Sequence, residues 1–115
     1  MDLHIIQNSI DYIEDNIKAD ISLRELAEMA GFSQFYYAKI FQKELGMTIN
    51  QYILHRKMLN AICDIHRGGK IIDVALEYGF ETHAGFYKAF VREFGETPTQ
   101  YLKNSQIREP YKVNI

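Results

Sequence analysis

The sequence predicts an all-α fold of seven helices, arranged as two helix-turn-helix subdomains joined by one long linker helix. Three observations carry this. The chain has 115 residues, of which 47% are hydrophobic and 24% charged. That balance builds a packed core and suits one compact domain or two very small ones. The apolar residues recur at helical spacing with few alternating segments, and only two prolines, Pro98 and Pro110, interrupt the chain. Finally, the second half repeats the first.

The elements follow in order. Residues 3–18 form an amphipathic helix, because Ile6, Ile10, Ile13 and Ile17 recur at spacings of four, three and four and so share one stripe. Asp2 can cap its start, and Lys18, Ala19 and Asp20 end its pattern. Ser22-Leu23-Arg24-Glu25 reads as a capping box, opening a short helix to about Ala30. Gly31 supplies the left-handed residue of a sharp stop. Ser33 caps a third helix with Tyr37, Ile40 and Phe41 on one face and Gly46 just past its end. Thr48 to Gln51 is a second capping box, opening a helix that runs to about Arg67, where Gly68-Gly69 breaks it. Twenty residues make about 30 Å of helix. Residues 70–78 give a short helix stopped by Gly79, and Thr82 caps the next, which runs to Phe94 before Gly95. Thr97-Pro98-Thr99-Gln100 is a third capping box, with proline where its missing N–H is harmless, and it opens a last short helix. The expected organisation is a first subdomain over residues 1–47, a linker helix over 48–67, a second subdomain over 68–104, and a polar tail or the start of a further linker over 105–115.

The repeat is the most informative feature. Leu23, Glu25, Leu26, Ala27, Gly31 and Phe32 recur as Ile71, Asp73, Val74, Ala75, Gly79 and Phe80, at an offset of 48. The offset becomes 49 after the phenylalanines, where Ser33, Phe41, Gly46, Thr48, Gln51 and Tyr52 recur as Thr82, Phe90, Gly95, Thr97, Gln100 and Tyr101. Short helix, glycine turn, capped helix, glycine stop is the helix-turn-helix pattern. Ala27 and Ala75 are small enough for two helices to cross closely, and Leu26 with Phe41, or Val74 with Phe90, can lock the crossing. A single copy would serve equally as an ordinary αα-hairpin; two copies with matching turns argue against that.

Charge and composition exclude several classes. Cys63 is the only cysteine, so no intrachain disulfide exists and a reducing compartment fits. No apolar run approaches the roughly 18 residues of a membrane span, and no basic segment leads into an apolar one as in a signal peptide. A soluble, cytoplasmic protein with no membrane contact is expected. His55 and His66, eleven residues apart, would lie about 16 Å apart along one helix, too far to share a metal ion. No HExxH, CxxC, GxSxG or glycine-rich phosphate loop occurs. We therefore expect no catalytic residues, no metal and no cofactor. The net charge of −2 is unevenly spread: −5 over residues 1–32, +3 over 33–67, −2 over 68–81 and +2 over 82–115. Folding can collect the bases on one face, or leave them as ordinary solvated surface.

With these residues in view, the sequence resembles the DNA-binding domain of the AraC/XylS family over roughly residues 5–103. The most specific stretch is Ile71-Ile72-Asp73-Val74-Ala75 leading to Gly79-Phe80, then Phe90, Gly95-Glu96-Thr97-Pro98 and Tyr101. The first unit matches through Leu23, Leu26, Ala27, Gly31, Phe32, Ser33, Phe41 and Gly46, and the linker through Tyr52-Ile53 and Arg56. Two departures stand out. Ile62 occupies the place of a linker alanine, and His83-Ala84-Gly85 replaces a more polar start to the second recognition helix. The resemblance implies a transcriptional regulator whose third and sixth helices enter successive major grooves of double-stranded DNA. Those grooves lie about 34 Å apart on one face, a span the long helix suits. It also implies RNA polymerase as a partner and an effector-binding domain beyond these residues. The ending Pro110-Tyr111-Lys112-Val113-Asn114-Ile115, which reads as the opening of a strand, points the same way.

The candidate DNA contacts follow from helix register and from the resemblance. With Tyr37, Ile40 and Phe41 turned inward, Gln34, Phe35, Tyr36, Ala38, Lys39, Gln42 and Lys43 remain outside. The resemblance places Phe35, Tyr36, Ala38 and Lys39 at groove-facing positions. Lys39 can donate to guanine, Gln34 suits adenine, and Ala38 or Phe35 can pack on a thymine methyl. Phe35 and Tyr36 can alternatively pack on neighbouring helices. In the second unit Phe86, Ala89 and Phe90 face inward, leaving Thr82, His83, Ala84, Gly85, Tyr87, Lys88 and Arg92 as contacts, His83 and Lys88 foremost. Tyr87 can bond a phosphate or cover the core edge, and Gly85 reflects either a close DNA backbone or a tight helix contact. The helix starts at Ser22, Ser33, Lys70 and Thr82 are candidate phosphate clamps. Arg56 is either a structural ion-pair residue or a DNA contact. A second function, a protein-interaction module on a degenerate helix-turn-helix scaffold, is suggested by the acidic total and the bland His-Ala-Gly start.

Overall fold

The structure is a computed structural model that describes residues 2–107, 110 and 113, with nothing specified for the side chain of Asp2. The expected Asp2 cap and most of the expected strand-like ending, Tyr111, Lys112, Asn114 and Ile115, lie outside the described residues. Seven helices and no strand occur among the described residues: α1 (Asp2–Asp15), α2 (Leu23–Ala30), α3 (Gln34–Leu45), α4 (Ile49–His66), α5 (Ile71–Glu77), α6 (His83–Phe94) and α7 (Pro98–Asn104). The chain forms two compact units, and the division falls inside α4, between Arg56 and Lys57, with Val113 belonging to the first.

In the first unit α1 packs on α2 and α3, and α2 packs on α3. The isoleucine stripe is the reason: Ile6, Ile10 and Ile13 are fully buried, each stabilising by about 1.5–3 kcal/mol. They meet Leu26, Ala27, Tyr37, Ile40 and Phe41 together with Ile49, Tyr52 and Ile53 from the start of α4. The helix ends three residues before the expected Lys18. Asn16 turns its side-chain amide back to the Tyr12 carbonyl at 2.9 Å, and the Ala19 amide donates to the Asn16 carbonyl at 2.8 Å. An asparagine side chain that bonds nearby backbone competes with helix propagation. Ile17 therefore lies in the turn but still packs against the core.

Polar ties between elements sharpen this unit. Ser22 accepts from the Glu25 amide at 3.1 Å. The reciprocal half of the expected box is replaced by a tertiary bond, in which the Tyr12 hydroxyl donates to the Glu25 carboxylate at 2.6 Å. Arg56, 8% exposed as a whole residue, forms a 2.5 Å ion pair with Glu14. That ion pair favours the structural role over the DNA contact for Arg56. The Gln7 side-chain amide donates to the Val113 carbonyl at 2.9 Å, and Val113 packs on the same core.

The second unit repeats the plan. Met58, Ala61, Ile62, Cys63 and Ile65 of α4 are buried with Val74, Ala75, Tyr78, Phe86 and Phe90. α5 packs on α6, and α6 on α7. Ile62, which departs from the resemblance, is simply core at 2% exposure. The Tyr78 hydroxyl donates to Asp64 at 2.7 Å, fastening the end of α5 to α4. Phe90 meets Tyr101 edge-on with ring centres 5.5 Å apart, which seats α7 behind the full Thr97/Gln100 capping box and buried Pro98.

A candidate nucleic-acid interface

Each unit builds its outward helix in the same way. Gly31 at φ 78° and Gly79 at φ 90° make the turns, a left-handed conformation that costs other residues about 1–2 kcal/mol. Just after each turn the same backbone bond closes it: the Phe32 amide donates to the Ala27 carbonyl at 3.0 Å, and the Phe80 amide to the Ala75 carbonyl at 3.0 Å. Ser33 then accepts from the Tyr36 amide at 3.2 Å, and Thr82 from the Gly85 amide at 2.9 Å. Two helices of twelve residues follow, each stopped by a left-handed glycine, Gly46 or Gly95. The helix-turn-helix geometry is thus fixed twice by equivalent residues.

On α3, Tyr37, Ile40 and Phe41 are buried, which fixes the opposite face. Gln34, Phe35, Tyr36, Lys39, Gln42 and Lys43 are exposed and Ala38 is half-buried. Phe35 is 81% exposed and Tyr36 44%. Tyr36 is partly used internally, since its ring lies edge-on to Phe32 with centres 5.0 Å apart. Gln34, Phe35, Ala38, Lys39 and Gln42 line one open hollow, and Leu23 from the start of α2 completes it. Register alone could not supply Leu23, because its part depends on where the start of α2 meets α3. The nearest sequence signal was the repeat, which pairs it with Ile71.

On α6, Phe86 and Phe90 are buried and Ala89 is half-buried. Thr82, His83, Ala84, Gly85, Lys88 and Arg92 are exposed, and Tyr87 is half-buried. The His83 ring stacks on Tyr87 with centres 4.4 Å apart and planes 25° apart. The Tyr87 hydroxyl lies 3.0 Å from the Thr99 hydroxyl, so this ring is held to α7 and to its own helix. Val91, 40% exposed, shares a surface hollow with Tyr87, Lys88 and Arg92. It follows Lys88 on the same face, and its aliphatic side chain gave no polar signal in the sequence. Gly85 has a local neighbour: a Cβ there would meet the capping oxygen of Thr82 at 3.0 Å. Lys70, expected at a helix start, precedes α5 without a side-chain capping bond. The Ser22, Ser33 and Thr82 oxygens are each occupied as caps.

The two outward faces correspond at an offset of 49: Lys39 with Lys88, Lys43 with Arg92, and Gln34 with His83. All six of these side chains belong to exposed residues. No helix among the described residues is long and apolar enough to cross a membrane.

Comparison with known proteins agrees with this geometry. The model of a family described as a helix-turn-helix domain matches residues 26–104. An uncharacterized HTH-type transcriptional regulator of Bacillus subtilis, YbfP, is 34% identical over 97 residues, spanning 84% of this chain but only 33% of that protein. The multiple antibiotic resistance protein MarA of Escherichia coli is 32% identical over 97 residues, spanning 84% of this chain and 76% of MarA. Among solved structures, the C-terminal domain of AraT, a response regulator from Geobacillus stearothermophilus, superposes with a TM-score of 0.77 at 25% identity, covering 91% of this chain and 88% of that one. With a family model over most of its length, a relative that it covers by three quarters and the duplicated turn geometry in agreement, the chain belongs to the AraC/XylS-type helix-turn-helix family of transcriptional regulators.

Proposed function

We propose that this chain is a sequence-specific double-stranded DNA-binding module of a transcriptional regulator, and that α3 and α6 are its two recognition helices, entering successive major grooves. One observation supports this most. In each unit the second helix of the turn buries one face and presents Lys39 and Lys43, or Lys88 and Arg92, at equivalent exposed positions. Helix-turn-helix modules place the N-terminal residues of such a helix against base edges. The contacts assigned to the first head are Gln34, Phe35, Tyr36, Ala38, Lys39 and Lys43. Those of the second are Thr82, His83, Ala84, Gly85, Tyr87, Lys88 and Arg92. The reading includes a cytoplasmic setting and RNA polymerase as a protein partner. It also includes an effector-binding domain elsewhere in the full protein, in keeping with the 33% of YbfP that the chain spans.

The test is selection from a randomised duplex pool, repeated at two salt concentrations. Two enriched patches about one helical turn apart, with an affinity that falls steeply with salt, are expected. Lys39→Ala and Lys88→Ala should each weaken binding to the enriched duplex while leaving helicity intact. Enrichment of a single patch would confine base reading to one unit. No enrichment at either salt would overturn the assignment.

A further inference from the structure

We infer that the hollow between α1 and α2 is a ligand site for one small neutral phenol, a single aromatic ring that carries a hydroxyl group. Ile5, Asn8, Ser9, Met29 and Ala30 line this hollow, whose volume is about 270 Å³. A cavity of about 150 Å³ already holds a benzene ring. No lining residue is charged, so a neutral occupant fits. The site shares no residue with the hollow beside Phe35.

The duplication supplies a control for this site. The buried Ile6, Ser9, Ile10 and Ile13 of α1 match the buried Met58, Ala61, Ile62 and Ile65 of α4 at an offset of 52. The short helix α2 matches α5 at an offset of 48. Ala30 therefore corresponds to Tyr78, and Tyr12 to Asp64. In the second unit the Tyr78 residue is 4% exposed and its hydroxyl donates to Asp64 at 2.7 Å. A phenol ring thus bridges the two helices there. In the first unit the side chain at this place stops at the Cβ of Ala30, and the hollow lies beside it.

Two further exchanges fall at the same spot. Ser9 stands for Ala61, and Tyr37 for Phe86 at the offset of 49. Both put a hydroxyl where the second unit has hydrocarbon. Tyr37 is fully buried, and its hydroxyl has no hydrogen-bond partner. Burial raises its pKa, and the Ser9 hydroxyl beside it draws it back down without completing a hydrogen bond. A buried hydroxyl left unpaired is costly, so a ligand that pairs it gains affinity. Ser9 spends its own proton on the Ile5 carbonyl at 3.2 Å, which leaves its oxygen free to accept. A phenol hydroxyl can donate to the Ser9 oxygen and accept from Tyr37, while its ring covers Ile5, Met29 and Ala30.

The experiment titrates the full chain with p-cresol, the side chain of tyrosine as a free molecule, and with toluene, the same ring without the hydroxyl. Backbone and methyl NMR shifts are the readout. With p-cresol, saturable shifts confined to the five lining residues and Tyr37 are expected, at a dissociation constant on the order of 1 mM for so small a ligand. Toluene should bind roughly threefold to tenfold more weakly, the value of one hydrogen bond. Tyr37→Phe should bind both ligands alike. Ala30→Tyr supplies the missing ring from the chain itself, and should melt at or above the parent temperature while losing p-cresol binding. Shifts that do not saturate, or that fall elsewhere, would overturn the site. So would p-cresol binding that survives in Ala30→Tyr, or an Ala30→Tyr chain that melts well below the parent, because the hollow then cannot take a ring. Equal binding of p-cresol and toluene by the parent would overturn the phenol as its ligand.

Discussion

Replacing Arg56 by methionine removes the cation from a buried ion pair and tests which of two roles this residue has. The Arg56 and Glu14 side chains are 10% and 11% exposed, so truncation leaves the Glu14 carboxylate almost buried without that partner. Breaking such a pair from one side costs about 3–5 kcal/mol. The remaining tenth of exposure lets water relieve part of it, and we expect about 3 kcal/mol. In a chain of this size that lowers the melting temperature by roughly 10–15 °C, read by far-UV circular dichroism. Glu14→Leu alone should lose a similar amount. The double variant Glu14→Leu/Arg56→Met should lose far less than the sum, because an apolar pair of similar volume is often neutral or better than a buried ion pair. DNA binding is the second readout. Below its melting temperature Arg56→Met should keep the parent salt slope, since Arg56 touches no phosphate in this reading. A variant of unchanged stability whose slope is shallower by about 1, the signature of one lost phosphate contact, would refute the structural role and make Arg56 a DNA clamp.

Other perturbations address the turns and the titratable groups. Gly31→Ala should destabilise by about 1–2 kcal/mol through the left-handed backbone at φ 78°; a melting temperature equal to the parent's would contradict that. Burial, aided by the nearby Glu14, pushes the Tyr52 phenol up to about 12. Tyr78, buried and bonded to Asp64, is also raised. A raised pKa in the folded state means stability is intact below pH 10 and declines as pH rises from there through about 12. Thermal melts across that window should show the decline, with Tyr52→Phe flattening part of it; a parent profile flat to pH 12 would contradict the burial argument. Gly85→Ala should gain less than about 1 kcal/mol of helix stability, because the new Cβ presses on the Thr82 cap at 3.0 Å. If stability rises while DNA affinity drops, the glycine is there for a close DNA backbone; a net loss of stability would show that the cap oxygen cannot yield.

Most of the helical framework was legible because its signals are local. Ser33, Thr82, Thr97 and the left-handed glycines act within four residues of themselves, and the isoleucine stripe of α1 needs only a period to be seen. What escaped were mostly interactions between residues distant in sequence, and one local choice between competing bonds. Glu25 was expected to complete a capping box, but a tyrosine thirteen residues earlier claims its carboxylate. The stop of α1 depended on whether the Asn16 side chain would turn back to Tyr12, a choice that periodicity cannot express. For the candidate interface, register located most of the exposed positions on α3 and α6, because burying Tyr37 or Phe86 leaves one face over, but it passed over Glu44 and the aliphatic Val91, both exposed. It could not show that the Tyr87 hydroxyl meets Thr99, nor that Leu23 borders the hollow beside Phe35.

The position of the unit boundary has a consequence for how such domains can be exchanged between genes. A recombination event in the loop after α3, where the sequence repeat would invite it, deprives the first unit of Ile49, Tyr52 and Ile53, all of which lie in its core. A junction after α4 has the opposite fault: a transplanted second unit arrives without Met58, Ala61 and Ile62, which are buried on the Lys57 side of the division. Only a splice at the Arg56–Lys57 or Lys57–Met58 bond, in continuous helix, hands each half its complete set of buried residues. Viable chimaeras of this architecture should therefore carry their crossover points in the middle of a helix, where shuffling by loops would never place them.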